Sequence, residues 1–130
     1  MSTKLLLSLL LLELLSEVFF GSVAVVDPAW GLGLFGVEVL PSTQFLSFVL
    51  GMALCFVSAM IALSMYGIWT GARLAWLLSL ALGLFWIVFG GALFLVYGRT
   101  ENLYLDLLPG LAVVGLTWRS WPREGRTRSA

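Results

Sequence analysis

The chain has 130 residues, 61% of them hydrophobic and 11% charged, with a formal net charge of zero and a mean hydropathy of +1.05. A soluble domain is about 45–50% apolar and about 25% charged, and one this small has too much surface for its volume to cover so many leucines. With no histidine and one cysteine, the chain has no imidazole for haem, zinc or base catalysis near neutral pH, and it cannot close an internal disulfide or a paired-cysteine redox centre.

These exclusions lead to one class: an all-α integral membrane protein, a four-helix transmembrane bundle over residues 1–121 with a basic cytoplasmic tail at 122–130. No catalytic constellation, cofactor or metal site is expected. The expected surroundings are the lipid bilayer and an intramembrane homo- or hetero-oligomer. Nucleic acid is not an expected partner, because four of the seven basic residues lie together near the C-terminus and the rest are scattered.

The first span is expected at 5–26. A helix needs about 20 apolar residues to cross the hydrocarbon core, and this leucine-rich run is long enough. Lys4 and the triplet Ser22-Val23-Ala24 superficially suit a cleaved signal peptide. Glu13 and Glu17 inside the apolar stretch favour a retained helix instead. Those two acids are the feature that most needs a reason. An acid at mid-membrane costs about 2.5–3.5 kcal/mol on the gentler insertion scale. Spacing of four places both carboxyls on one helix face, with Ser16 adjacent. In low dielectric the pair should hold at least one proton between them. Hydroxyls of Ser58, Ser79 or Tyr66, or carbonyls opened by Pro109, are the expected partners; Arg73 is a possible accessory that would have to bend inward. Two readings stay open: a proton, cation or polar-ligand site, or protonated glutamates that hydrogen-bond across helices and fix packing.

Residues 27–44 read as a long outer loop, glycine-rich yet apolar, lying on the membrane surface or over the mouth of the bundle. Asp27 and Glu38 read as loop or helix-start acids. The second span is expected at 45–66, with Gly51, Cys55, Ser58, Ala59 and Ala62 as a stripe of small residues, because helices in lipid associate through close packing of such residues. Cys55 reads as a small buried apolar side chain. The third span is expected at 74–97, with the ladder Ala75, Ser79, Gly83 and then Gly90 and Gly91. The fourth, 103–118, reaches only about 24 Å at 1.5 Å per residue, and is either kinked at Pro109-Gly110 or extended at its start through Asn102. Gly110 and Gly115 are its candidate packing positions. Asp106 is a possible accessory acid near the bundle mouth. The tail beyond Pro122 reads as a disordered topology signal with some attraction to anionic lipid.

On this four-span plan Lys4, Arg73, Arg119, Arg123, Arg126 and Arg128 share one side, and only Arg99 falls on the other, beside Glu101. Basic residues mark the cytoplasmic face, so both termini should be cytoplasmic. Trp30, Tyr97 and Tyr104 then sit near the outer interface, and Trp69, Trp118 and Trp121 near the inner one.

Two resemblances follow from these residues. The four-span plan, the outer loop ending in Leu40-Pro41, the Gly71-Ala72-Arg73 entry and Gly98-Arg99 after a glycine-bearing third helix together resemble the DoxX-like group of small four-helix membrane proteins. That resemblance covers most of the chain and implies an accessory subunit or scaffold, with no residue role carried over. Separately, Ser16-Glu17-Val18 followed by Gly21, and Ile68-Trp69-Thr70-Gly71, resemble motifs of the small multidrug-resistance transporters. This second resemblance implies exchange of protons for small cations at Glu17. The departures are a second glutamate, a tryptophan segment at a predicted helix junction, and a third span that is too long.

Overall fold

The computed structural model describes residues 1–122. Among these residues the chain forms five α-helices, α1 (Ser2–Val26), α2 (Pro28–Leu34), α3 (Pro41–Thr70), α4 (Arg73–Tyr97) and α5 (Leu108–Ser120), with a π-helical turn at Leu103–Leu107; there is no strand among them. The tail proposed at 122–130 lies outside the described residues apart from Pro122.

Three helices, α1, α3 and α4, are long and apolar enough to cross a membrane. At about 1.5 Å per residue, their 25, 30 and 25 residues exceed a hydrocarbon core of about 30 Å. Large side chains such as Leu12, Phe45, Phe56, Leu74, Val88 and Leu95 stand exposed along them. Water would penalise that surface and lipid does not. The chain is therefore of the helical integral-membrane class. Five helices rather than four correct the expected count, because the anticipated loop at 27–44 contains α2.

The described chain divides into two compact units. In the first, residues 11–62, α1 and α3 meet backbone to backbone. A Cβ on Gly51 would lie 2.8 Å from the Ala24 Cβ and 2.9 Å from the Gly21 carbonyl oxygen. Only glycine permits that approach. The buried face of α3 runs through Ser47, Gly51, Ser58 and Ile61, in steps of three, four and seven that hold one side of the helix. Cys55, Ala59 and Ala62 are exposed instead, which corrects the expected stripe and the expected burial of the thiol. Cys55 still touches α1, its Sγ lying 3.2 Å from where a Cβ on Gly21 would stand, but it sits at the rim of the contact, and Ala59 and Ala62 lie outside the buried set.

The second unit comprises Met1–Leu10 and the chain from Leu63 onward. Gly71, at φ +79°, ends α3: its N–H donates to the Ile68 carbonyl (3.2 Å) and that of Ala72 to the Gly67 carbonyl (2.7 Å). This is the paired cap that a left-handed glycine allows. The turn folds α4 back so closely that a Cβ on Gly67 would overlap Ala75. Further along, α4 packs against α5 where Gly83 and Gly110 face each other; a Cβ on either would come within 3.1 Å of the other's carbonyl oxygen. The Ala75, Ser79, Gly83 and Gly90 ladder is buried throughout, because α4 is covered by the end of α3 and by α5 on adjoining sides. Gly115 has nothing within 4 Å of its Cβ position and plays no packing role.

In the fourth apolar segment, helical structure starts ahead of Leu103 and a π turn precedes Pro109. Residues 101–120 are helical without a break, roughly 30 Å at 1.5 Å per residue. The π turn falls just ahead of Pro109, with the Leu108 N–H reaching back to the Leu103 carbonyl. A proline ring clashes with the carbonyl four residues earlier, and one extra residue in the turn relieves that clash while Pro109 takes its place in the first turn of α5.

Candidate functional site

Six buried residues define one face of α1: Leu6, Leu10, Glu13, Glu17, Gly21 and Ala24. The steps are all of three or four residues, the pattern of a packing seam. Four members are apolar or small. The other two are carboxylic acids, 7% and 9% exposed, about 6 Å apart along the helix axis and about 40° apart around it. Ser16, one position before Glu17, is half-buried. Local helix geometry alone brings these three together, and both acids interact with other groups.

The hydroxyls anticipated as partners have identifiable occupations. Ser58 Oγ donates to the Leu54 carbonyl at 2.9 Å on its own helix. Ser79 Oγ and Thr117 Oγ1 pair at 2.9 Å between α4 and α5, both fully buried. Tyr66 is 69% exposed, so its phenol faces outward. Ser64, also fully buried, donates to the Ala75 carbonyl at 3.1 Å across the α3–α4 turn. The Ser64 bond and the Ser79–Thr117 pair both lie within the second unit. Sequence reading missed Thr117 and Trp86, both fully buried; Trp86 continues the α4 ladder between Gly83 and Gly90 and was legible from that spacing.

Arg73 and Asp106 lie toward opposite ends of α4. Arg73 is exposed at the first position of α4. Asp106 lies on the π turn, packed against Gly90 near the other end, about 25 Å further along α4. Its Oδ2 accepts a hydrogen bond from Asn102 Nδ2 at 2.6 Å. Beyond the end of α4, the Arg99 guanidinium pairs with Glu101 at 3.0 Å, both half-exposed. The Glu101 backbone N–H first and Arg99 second hold that carboxyl below its ordinary value. Arg99 thus serves its own loop rather than the buried acids.

No group of three His, Cys, Asp or Glu side chains able to hold a metal occurs among the described residues. What α1 offers chemically is a pair of carboxyls on one helix face, both withdrawn from solvent. No protein-family model, curated protein or solved structure significantly matches the chain, so its function rests on these residues.

Proposed function

We propose that the chain is a four-span helical bundle of DoxX-like type, with both termini cytoplasmic. It acts as a non-catalytic subunit of a membrane assembly or as a binder of a small polar or cationic ligand, and Glu13 and Glu17 carry that role as a proton-sharing pair. One observation carries the reading: two acids occupy a buried seam whose other members are Leu6, Leu10, Gly21 and Ala24. A carboxyl at mid-membrane is costly, and such residues mark ion, proton or ligand sites more often than they serve packing alone. The unbroken helix at 101–120 supports a fourth crossing, and the basic residues support the orientation.

Proton-coupled exchange of small cations is the competing reading, favoured by burial of Glu17 in the sequence Ser16-Glu17-Val18. Its second motif is less supportive, since Trp69 is 81% exposed at the end of α3.

Dicyclohexylcarbodiimide, which modifies protonated carboxyls in apolar surroundings, tests the shared reading in proteoliposomes at neutral pH. The adduct is expected on Glu13 or Glu17 and should vanish in the double variant Glu13→Gln/Glu17→Gln. Absence of an adduct from both acids in the unaltered protein would refute the site. Cation uptake driven by a pH gradient and abolished by Glu17→Gln would select the transporter. Native mass spectrometry from mild detergent should show a self-associated or partnered species if the chain is a subunit, and a strict monomer counts against that role.

A further inference from the structure

The segment between α1 and α3 is constructed for lipid rather than for water. At its start the Asp27 carboxylate accepts the Trp30 N–H at 3.1 Å, Pro28 has no N–H to satisfy, and the Gly31 N–H donates to the Asp27 carbonyl at 3.0 Å. At its end Gly36, at φ +65°, lets its own N–H return to the Gly33 carbonyl (3.1 Å) and that of Val37 to the Leu32 carbonyl (3.0 Å). The limb leading to α3 is tied as well: Thr43 Oγ1 accepts the Leu40 N–H and donates to the Glu38 carbonyl, each at 2.8 Å. Backbone polar groups inside a bilayer must find their partners within the protein, and this segment largely meets that condition.

The packing gives its direction. Gly31 lies against Val23 and Ala24 of α1. The Trp30 ring is 6.3 Å from that of Phe19, and the Phe35 ring is 5.5 Å from that of Phe20. The chain leaves α1 at Val26 and by Phe35 has come back level with Phe20, a descent of about 9 Å along the helix. A segment lying beside the last turns of a transmembrane helix shares their depth. Trp30, Leu34 and Phe35 are each about half exposed, continuous with the lipid-facing surface of α1 at Val18 and Phe19. No charged side chain interrupts them between Asp27 and Glu38.

We propose that residues 28–35 form a re-entrant segment immersed in the leaflet at the Asp27 end of α1. Its partner is the interfacial and upper acyl-chain region of a phospholipid bilayer, gripped by Phe19, Trp30, Leu34 and Phe35. Asp27 and Glu38 mark where the chain enters and leaves the water.

Single cysteines test this in the full chain carrying Cys55→Ala, reconstituted in phosphatidylcholine vesicles with a membrane-impermeant maleimide supplied to both faces. Glu38→Cys should react in intact vesicles, whereas Leu34→Cys should react only after detergent is added. A nitroxide on Leu34→Cys should collide readily with oxygen and little with a water-soluble nickel chelate. Equal maleimide reaction at Leu34→Cys and Glu38→Cys in intact vesicles would place the segment in water and overturn the proposal. Low collision with both relaxing agents would place the position inside protein, with the same consequence. Leu34 is an exposed side chain, so its replacement leaves the packing between α1 and α3 in place.

Discussion

The Ser79–Thr117 hydrogen bond shows how a hydroxyl acts when water is out of reach. Both side chains are fully buried, so each is the other's available relief from desolvation. Removing one partner strands the other, and that costs about 1–2 kcal/mol, whereas removing both costs much less. Ser79→Ala and Thr117→Val should each lower the unfolding midpoint in detergent, and the double variant should lose clearly less than the sum. An additive double variant would show that the pair contributes nothing as a pair. Glu13 and Glu17 pose the same problem with a larger penalty. Sequence placed both acids and Ser16 on one helix, because a spacing of four is a property of the helix itself. The hydroxyls it nominated as partners take part in other contacts: Ser58 bonds to the Leu54 carbonyl, Ser79 pairs with Thr117, and Tyr66 is exposed.

Glycine sets how closely the helices approach, and its effect depends on what lies across the gap. Around Gly90 a Cβ would come within 2.8 Å of the Asn102 carbonyl oxygen, the Leu107 nitrogen and the Asp106 Cβ. Two of these are backbone atoms, which cannot rotate away. Alanine is better than glycine within a helix by about 1 kcal/mol, but forced overpacking costs about 1–3 kcal/mol. Gly90→Ala should therefore destabilise the contact of α4 with the π turn. Gly115→Ala, with open space around it, should leave the thermal midpoint unchanged or raise it. Equal midpoints for the two variants would contradict the close approach. The sequence marked both glycines as packing candidates, and spacing alone could not separate them. Likewise, Asp27-Pro28 and Gly36 are the start and stop signals of a short helix, yet two glycines among the seven residues of α2 give the run the composition of a loop.

At the scale of the molecule, the proposed four crossings and the charge bias make a joint prediction. Ser2→Cys and Pro122→Cys, each on the Cys55→Ala background, should both be labelled from the cytoplasmic face, and Glu38→Cys from the opposite face. Termini on opposite sides would mean an odd number of crossings and would remove the helix at 101–120 from the membrane. Sequence by itself determined the class of the protein: apolar runs of transmembrane length have no stable place in water, and hydropathy is additive along the chain. It also located the twin acids, because an intramembrane charge stands out against its neighbours. Tertiary structure decided which small residues touch, that Cys55 stays exposed at the rim of the α1 contact, that α2 doubles back along α1, and that the last helix begins with a π turn. Each of these depends on which segments approach one another, and that information is carried by contacts between distant residues rather than by any local stretch of chain.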